Sequence, residues 1–113
     1  MNKDNYKTIG TIHKSTLKHT SKGLRIWCES ADFLNGAGFT CGSRYDREYK
    51  ESGIKMTLNP NGKYKVSNGS RNGKARPIID IVGKAISKSI DPTCETITMF
   101  DLSNGSISIM GDK

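Results

Sequence analysis

Near the end of the chain Ile107 and Ile109 alternate with Ser106 and Ser108, the period of two that turns one face of a β-strand into a core and the other into water. Short runs of the same β-favouring character, rich in branched and aromatic residues, recur at 6–12, 24–29, 43–50, 54–58, 63–67, 77–82, 96–102 and 106–110. Pro77 suits the first position of its run, where a missing N–H costs no ladder bond. Turn residues at 50–53 and at Ser103-Asn104-Gly105 fold the neighbouring runs into two hairpins. Two stretches switch to helical spacing. Ser30 can cap a helix running through Leu34, with Gly36 and Gly38 ending it. Residues 83–90 place Ala85, Ile86 and Ile90 on one helical face before Asp91-Pro92 stops the pattern. The chain therefore reads as mainly β with two short helices.

The order of these elements repeats. Each half runs strand, polar arm, strand, short helix, strand, tight turn, strand, over 6–58 and again over 63–110. Tyr6-Lys7 answers Tyr64-Lys65, Leu24-Arg25-Ile26 answers Pro77-Ile78-Ile79, Phe33 falls opposite Ile86, Thr40-Cys41 falls on Thr93-Cys94, and Gly53 answers Gly105. Neither half can fold alone. Burying Phe33, Leu34, Phe39, Ile54 and Met56 at roughly 1.5–3 kcal/mol each is offset by the entropy of ordering about 50 residues. The economical solution is a single domain over 1–113 in which each repeat supplies strands to the other, with both polar arms on one side.

Charge gives the arms a meaning. The 113 residues hold 18 Lys plus Arg against 11 Asp plus Glu, a formal charge of +7. Residues 1–25 carry +5 and residues 63–76 carry +5, while 26–62 sum to −1 and 77–113 to −2. All of the excess lies in two segments rich in Gly, Ser, Thr and Asn, the composition of exposed turns. Two such segments, each entering a core-like run, form a device for meeting phosphates. No run approaches the roughly 20 apolar residues of a spanning helix, and the polar start does not resemble a signal peptide, so a cytoplasmic protein without a membrane partner is expected. Three cysteines without a C-x-x-C pair suggest neither a disulfide framework nor a zinc site.

The stretch Phe33-Leu34-Asn35-Gly36-Ala37-Gly38-Phe39-Thr40-Cys41-Gly42-Ser43 resembles the W-L-x-x-A-G-F-x-x-G segment of SymE-like toxins, members of the AbrB/MazE superfamily of swapped-hairpin proteins. The part from Arg76-Pro77-Ile78-Ile79 through Gly105-Ser106-Ile107 resembles a second, divergent copy. The chain departs from the family in Phe33, where Trp is usual, and in the charged Arg44-Tyr45-Asp46-Arg47-Glu48 of its third strand. The resemblance implies a small β-barrel of two intertwined units, here joined in one polypeptide as a pseudo-dimer, or else a homodimer. It also implies nucleic-acid binding through the arms, with DNA the expected partner and a nucleoid-associated location to match. Ser70-Arg71-Asn72-Gly73-Lys74-Ala75-Arg76-Pro77 is similar to the DNA-contacting segment of MazE-like members, and in the first repeat His13, Lys14, Lys18, Lys22 and Arg25 hold the corresponding positions, with Lys7 and Lys65 as further candidate nucleic-acid contacts.

The chemistry of these residues agrees independently, since Arg and Lys neutralise phosphates, an Asn72 amide can read a base edge, and Gly lets backbone approach the strand. His13 and His19 could act as acid and base in a SymE-like RNA-cleaving toxin, but a mobile arm would not preorganise them. His13, His19, Cys28 and Cys41 match no metal-ligand spacing, and no cofactor is implied. Trp27, Tyr6 and Tyr64 are candidates for stacking on bases. Besides DNA or RNA binding, a phage or plasmid inhibitor that grips a host nuclease or defence complex fits the same size and charge.

Overall fold

The computed structural model describes residues 11–112, folded as ten antiparallel strands in two sheets. In chain order these are β1 (Ile12–Thr16), β2 (Lys18–Thr20), β3 (Gly23–Cys28), helix α1 (Ala31–Gly36), β4 (Arg44–Lys50), β5 (Gly53–Leu58), β6 (Tyr64–Lys65), β7 (Ser67–Asn68), β8 (Pro77–Gly83), a 3₁₀-helix (Lys84–Lys88), β9 (Thr96–Asp101) and β10 (Ser106–Gly111). One sheet has the order β1-β9-β10-β5-β4-β6 and the other β2-β3-β8-β7. Alternation sends Leu24, Ile26, Cys28, Ile79 and Ile81 inward from the smaller sheet, and Ile54, Met56, Met99, Ile107 and Ile109 inward from the larger. Phe33, Leu34, Phe39, Ile86 and Ile90 join the same core. The period of two at Ile107 and Ile109 is thus a true inward face, with both side chains fully buried.

A single residue carries the chain from one sheet to the other at two places. Leu17 joins β1 to β2, and Val66 joins β6 to β7. Both side chains are buried, and their N–H groups donate to Glu95 O and Ser43 O, each at 2.9 Å. These corners leave two open sheets where a closed barrel was expected, because each strand spends its ladder bonds in one sheet before the corner and in the other after it. The pairings have an internal symmetry. Exchanging β1–β5 for β6–β10 turns β1·β9 into β6·β4, β2·β3 into β7·β8 and β4·β5 into β9·β10, and leaves β3·β8 and β5·β10 as they are.

Other expectations change in detail. The first strand was placed at 6–12 with a polar arm after it, yet the arm itself is strand, as β1 and β2. Residues 6–10, with Tyr6 and Lys7, lie outside the described residues. The second helix is a 3₁₀-helix of five residues rather than an α-helix. Gly83 supplies no side-chain cap there, whereas Ser30 Oγ accepts from the Phe33 N–H at 3.3 Å and starts α1. The charged run in β4 sorts by face, with Tyr45, Arg47 and Tyr49 opposite inward-facing Leu58, Met56 and Ile54. Arg47 lies 3.8 Å from the Tyr64 ring centroid and donates to Tyr45 Oη at 3.0 Å and to Asp80 O at 3.4 Å, closing the seam between the sheets where β7 stops short. Burial pushes the Tyr45 phenol above its ordinary range.

The β1 edge of the six-stranded sheet is tied by a polar network. Lys14 Nζ donates to Thr98 Oγ1 at 2.8 Å and sits 3.3 Å from Asp112 Oδ2, which also accepts from Thr96 Oγ1 at 2.9 Å. Hydrogen bonds from Thr98 and Thr96, with Lys14 adding a charge, hold the Asp112 carboxyl below the usual carboxylate range. A carboxyl lowered in the folded state stabilises it above the unfolded pKa, and that contribution is lost as pH falls through the folded value. Amide exchange of β1 and β9 is therefore expected to accelerate on acidification below the ordinary carboxylate range. In Asp112→Asn this acid-dependent step is expected to shrink, and an unchanged step would show that the network does not hold β1.

Candidate nucleic-acid interface

The turns of the two basic segments are both carried by the four-stranded sheet. In the second, Arg71 and Lys74 exchange two backbone hydrogen bonds of 3.0 Å across Asn72-Gly73, whose φ values are 54° and 77°. Positive φ at both central residues is the type I′ hairpin turn that Asn-Gly favours, so the arm is a tight hairpin extending from β7 and β8. Gly69 N–H donates to Arg76 O at 2.8 Å and Arg76 N–H to Asn68 Oδ1 at 3.2 Å, which stiffens its base. In the first segment β2 and β3 turn at Ser21-Lys22, where Thr20 Oγ1 donates to Gly23 O at 2.7 Å. Gly23 packs so closely on Gly83 that a Cβ there would lie 2.8 Å from the Gly83 carbonyl carbon.

Register places the two tips. Leu24 pairs with Gly83 and Cys28 with Ile79, so the Lys22 turn lies beyond one end of the sheet and the Asn72 hairpin beyond the other. About 14 Å of strand lies between those two pairs at ~3.4 Å per residue. The arms were expected on one side. They share one sheet, but antiparallel β3 and β8 send their turns to opposite ends.

The structure separates the candidate residues by their partners and their place in the sheets. Arg25 makes a bidentate ion pair with Asp80 at 2.9 and 3.0 Å, and this pair raises its already high pKa. Arg76 pairs with Glu29 at 2.8 Å, and Lys14 belongs to the Asp112 network. Lys18, Lys22, Arg71 and Lys74 are exposed and have no side-chain partner among the described residues. Lys65 is also exposed but lies on β6, opposite Arg44, at the edge of the other sheet. Asn72 holds the hairpin tip and Lys7 lies outside the described residues.

The histidines do not converge. His13 is a partly buried residue of β1, opposite Met99 and tilted against Phe33 with ring centroids 5.7 Å apart. His19 lies on β2 opposite Leu24, in the other sheet and beyond the Leu17 corner. Both stand on strands, not in a mobile arm. Cys28 is buried, which pushes its thiol pKa up, and Cys94 is buried while Cys41 is half-buried at its counterpart position. Among the described residues no three His, Cys, Asp or Glu side chains come together as a metal site would require.

Sequence reasoning missed the acids of this surface. Asp80 and Glu29 were counted only in segment totals, although alternation along β8 would have sent Asp80 outward. Trp27 also faces outward, half-exposed between buried Ile26 and Cys28. Its indole N–H donates to Glu29 Oε2 at 2.9 Å, and the Arg25 guanidinium lies 4.8 Å from its centroid. A continuous chain of contacts therefore runs from Asp80 through Arg25, Trp27 and Glu29 to Arg76. Among the described residues no helix is long and apolar enough to cross a membrane. Comparison with protein-family models, with curated proteins and with solved structures finds no match to this chain.

Proposed function

We propose that this protein binds nucleic acid, with DNA the expected form, through the two basic hairpins of its four-stranded sheet. The observation that carries the reading is the hairpin Arg71-Asn72-Gly73-Lys74, a rigid turn whose two long cations project without an acid partner among the described residues. A stiff turn presents charge to phosphates with less ordering entropy than a free loop, and an amide such as that of exposed Asn72 can hydrogen-bond a base edge. Lys18 and Lys22 supply a second contact at the other end of the sheet. Arg25 and Arg76 are held by carboxylates, so they act as reserve cations that can exchange Asp80 or Glu29 for a phosphate. The symmetry of the strand pairings supports a finer reading of the chain as two intertwined units of AbrB/MazE type in one polypeptide. The reading is of a binding module, and the candidate acid–base pair His13 and His19 stands on strands of different sheets.

An electrophoretic titration against duplex DNA, hairpin RNA and single strands at several salt concentrations tests the reading. Four phosphate contacts, one each from Lys18, Lys22, Arg71 and Lys74, correspond to a slope of log K against log salt of about −3 to −4. A flat salt dependence, or no binding at low salt to any of the three, would sink it.

A further inference from the structure

We propose that the nucleic acid held by the four-stranded sheet is single-stranded and that Trp27 is the platform on which one of its bases stacks. The inference rests on the nucleic-acid binding proposed above and names its substrate class.

Trp27 stands at the middle of the sheet's outer face, across from Asp80 and one strand position from Arg25 and its neighbour Val82. Its indole is anchored at one edge by Glu29, which fixes the orientation of the ring before any ligand arrives. Exposed Val82 and half-buried Ile78 continue the apolar surface along β8. The charge around this platform is arranged in a matching way. The Arg25–Asp80 and Arg76–Glu29 pairs neutralise the centre, while the unpartnered cations stand at the two ends, Lys18 and Lys22 at one, Arg71 and Lys74 at the other. A single strand running from end to end would meet cations for its phosphates at both ends and a flat aromatic surface between them. That combination of electrostatic groove and stacking platform is the general solution for unpaired nucleic acid. A duplex keeps its base faces inside and would leave Trp27 without a partner. The Arg25 guanidinium over the ring fits the same arrangement, because a planar cation can slide from the indole to a phosphate or stack on the incoming base itself. The Arg25–Asp80 pair lies on the outer face with its side chains 36% and 34% exposed, so a phosphate can reach the guanidinium and compete with the carboxylate.

Trp27 is the sole tryptophan of the chain, so its own fluorescence reports the contact. The wild-type protein is titrated with a deoxythymidine oligomer, a uridine oligomer and a duplex of equal phosphate number. Expected is quenching by one or both single strands, with at least tenfold tighter binding than to the duplex; the two oligomers show whether deoxyribose or ribose is preferred. With a dye-labelled oligomer followed by anisotropy, Trp27→Leu is expected to lose about tenfold or more in affinity for the single strand. Trp27→Phe is expected to retain most of that affinity, and circular dichroism of both variants checks that the sheet is intact. Duplex binding as tight as single-strand binding, with unquenched Trp27, would overturn the inference and leave the proposed function standing. Failure of every nucleic acid to bind would overturn both.

Discussion

Replacing Arg71 and Lys74 together by alanine is expected to lower affinity for nucleic acid by about a hundredfold at low salt. Each cation can make a charge-assisted hydrogen bond of roughly 1.5 kcal/mol to a phosphate, and each 1.4 kcal/mol is tenfold in binding. The slope of log K against log salt should fall by roughly 1.5 to 2, since two counterions fewer are released. Fold should be unaffected. The Asn72-Gly73 turn is made by backbone hydrogen bonds between residues 71 and 74, and the hairpin projects beyond the core. Arg25→Ala is the informative contrast. It removes a cation already satisfied by Asp80, so its effect on affinity should be smaller than that of the double change at the tip. If the double variant binds as wild type with the same salt slope, the hairpin does not carry the contact.

The largest expected effect on stability is at Gly53. This residue opens β5 with φ at +146°, and a Cβ there would run into the carbonyl oxygen of Ile109 on β10. Side chains rarely adopt that backbone region, and the contact lies beside the Ile54–Ile109 pairing at the centre of the six-stranded sheet. Gly53→Ala is expected to cost about 3 kcal/mol or more, lowering Tm by roughly 12–20 °C in a domain of this size. Gly36 is the control. It closes α1 with no atom within 4 Å of the built Cβ and no positive φ, so Gly36→Ala should be neutral or gain up to about 1 kcal/mol. Thermal melts of the two variants decide it. Equal melting temperatures would mean that the β5–β10 pairing relaxes to admit a side chain.

Both predictions concern positions at which sequence and tertiary structure contribute differently. The Asn72-Gly73 turn is visible in the sequence as a dipeptide between strand-like runs, because the steric demand of positive φ is local. Gly53 was also visible as a turn residue. Its crowding against Ile109 was not, since β10 lies more than fifty residues away and pairing between distant strands leaves no short-range signal. The second helix was misjudged for a related reason. Ala85, Ile86 and Ile90 have helical spacing, but a segment this short with glycine at its N-cap follows the packing of its ends more than its propensity, and it tightens to a 3₁₀-helix.

The candidate site divides in the same way. Sequence alone determined that the positive charge lies in two segments and that the strands alternate between core and solvent, because charge and period are properties of residues and near neighbours. The repeated order of elements was legible only in outline, since the polar arm of the first half is itself strand, as β1 and β2. Only the tertiary structure decided which cations are available. Asp80 and Glu29 reach Arg25 and Arg76 from distant parts of the chain, and the antiparallel pairing of β3 with β8 brings these acids onto the basic sheet while sending the two turns to opposite ends. Ion pairs depend on separation in space, which no count along the chain contains.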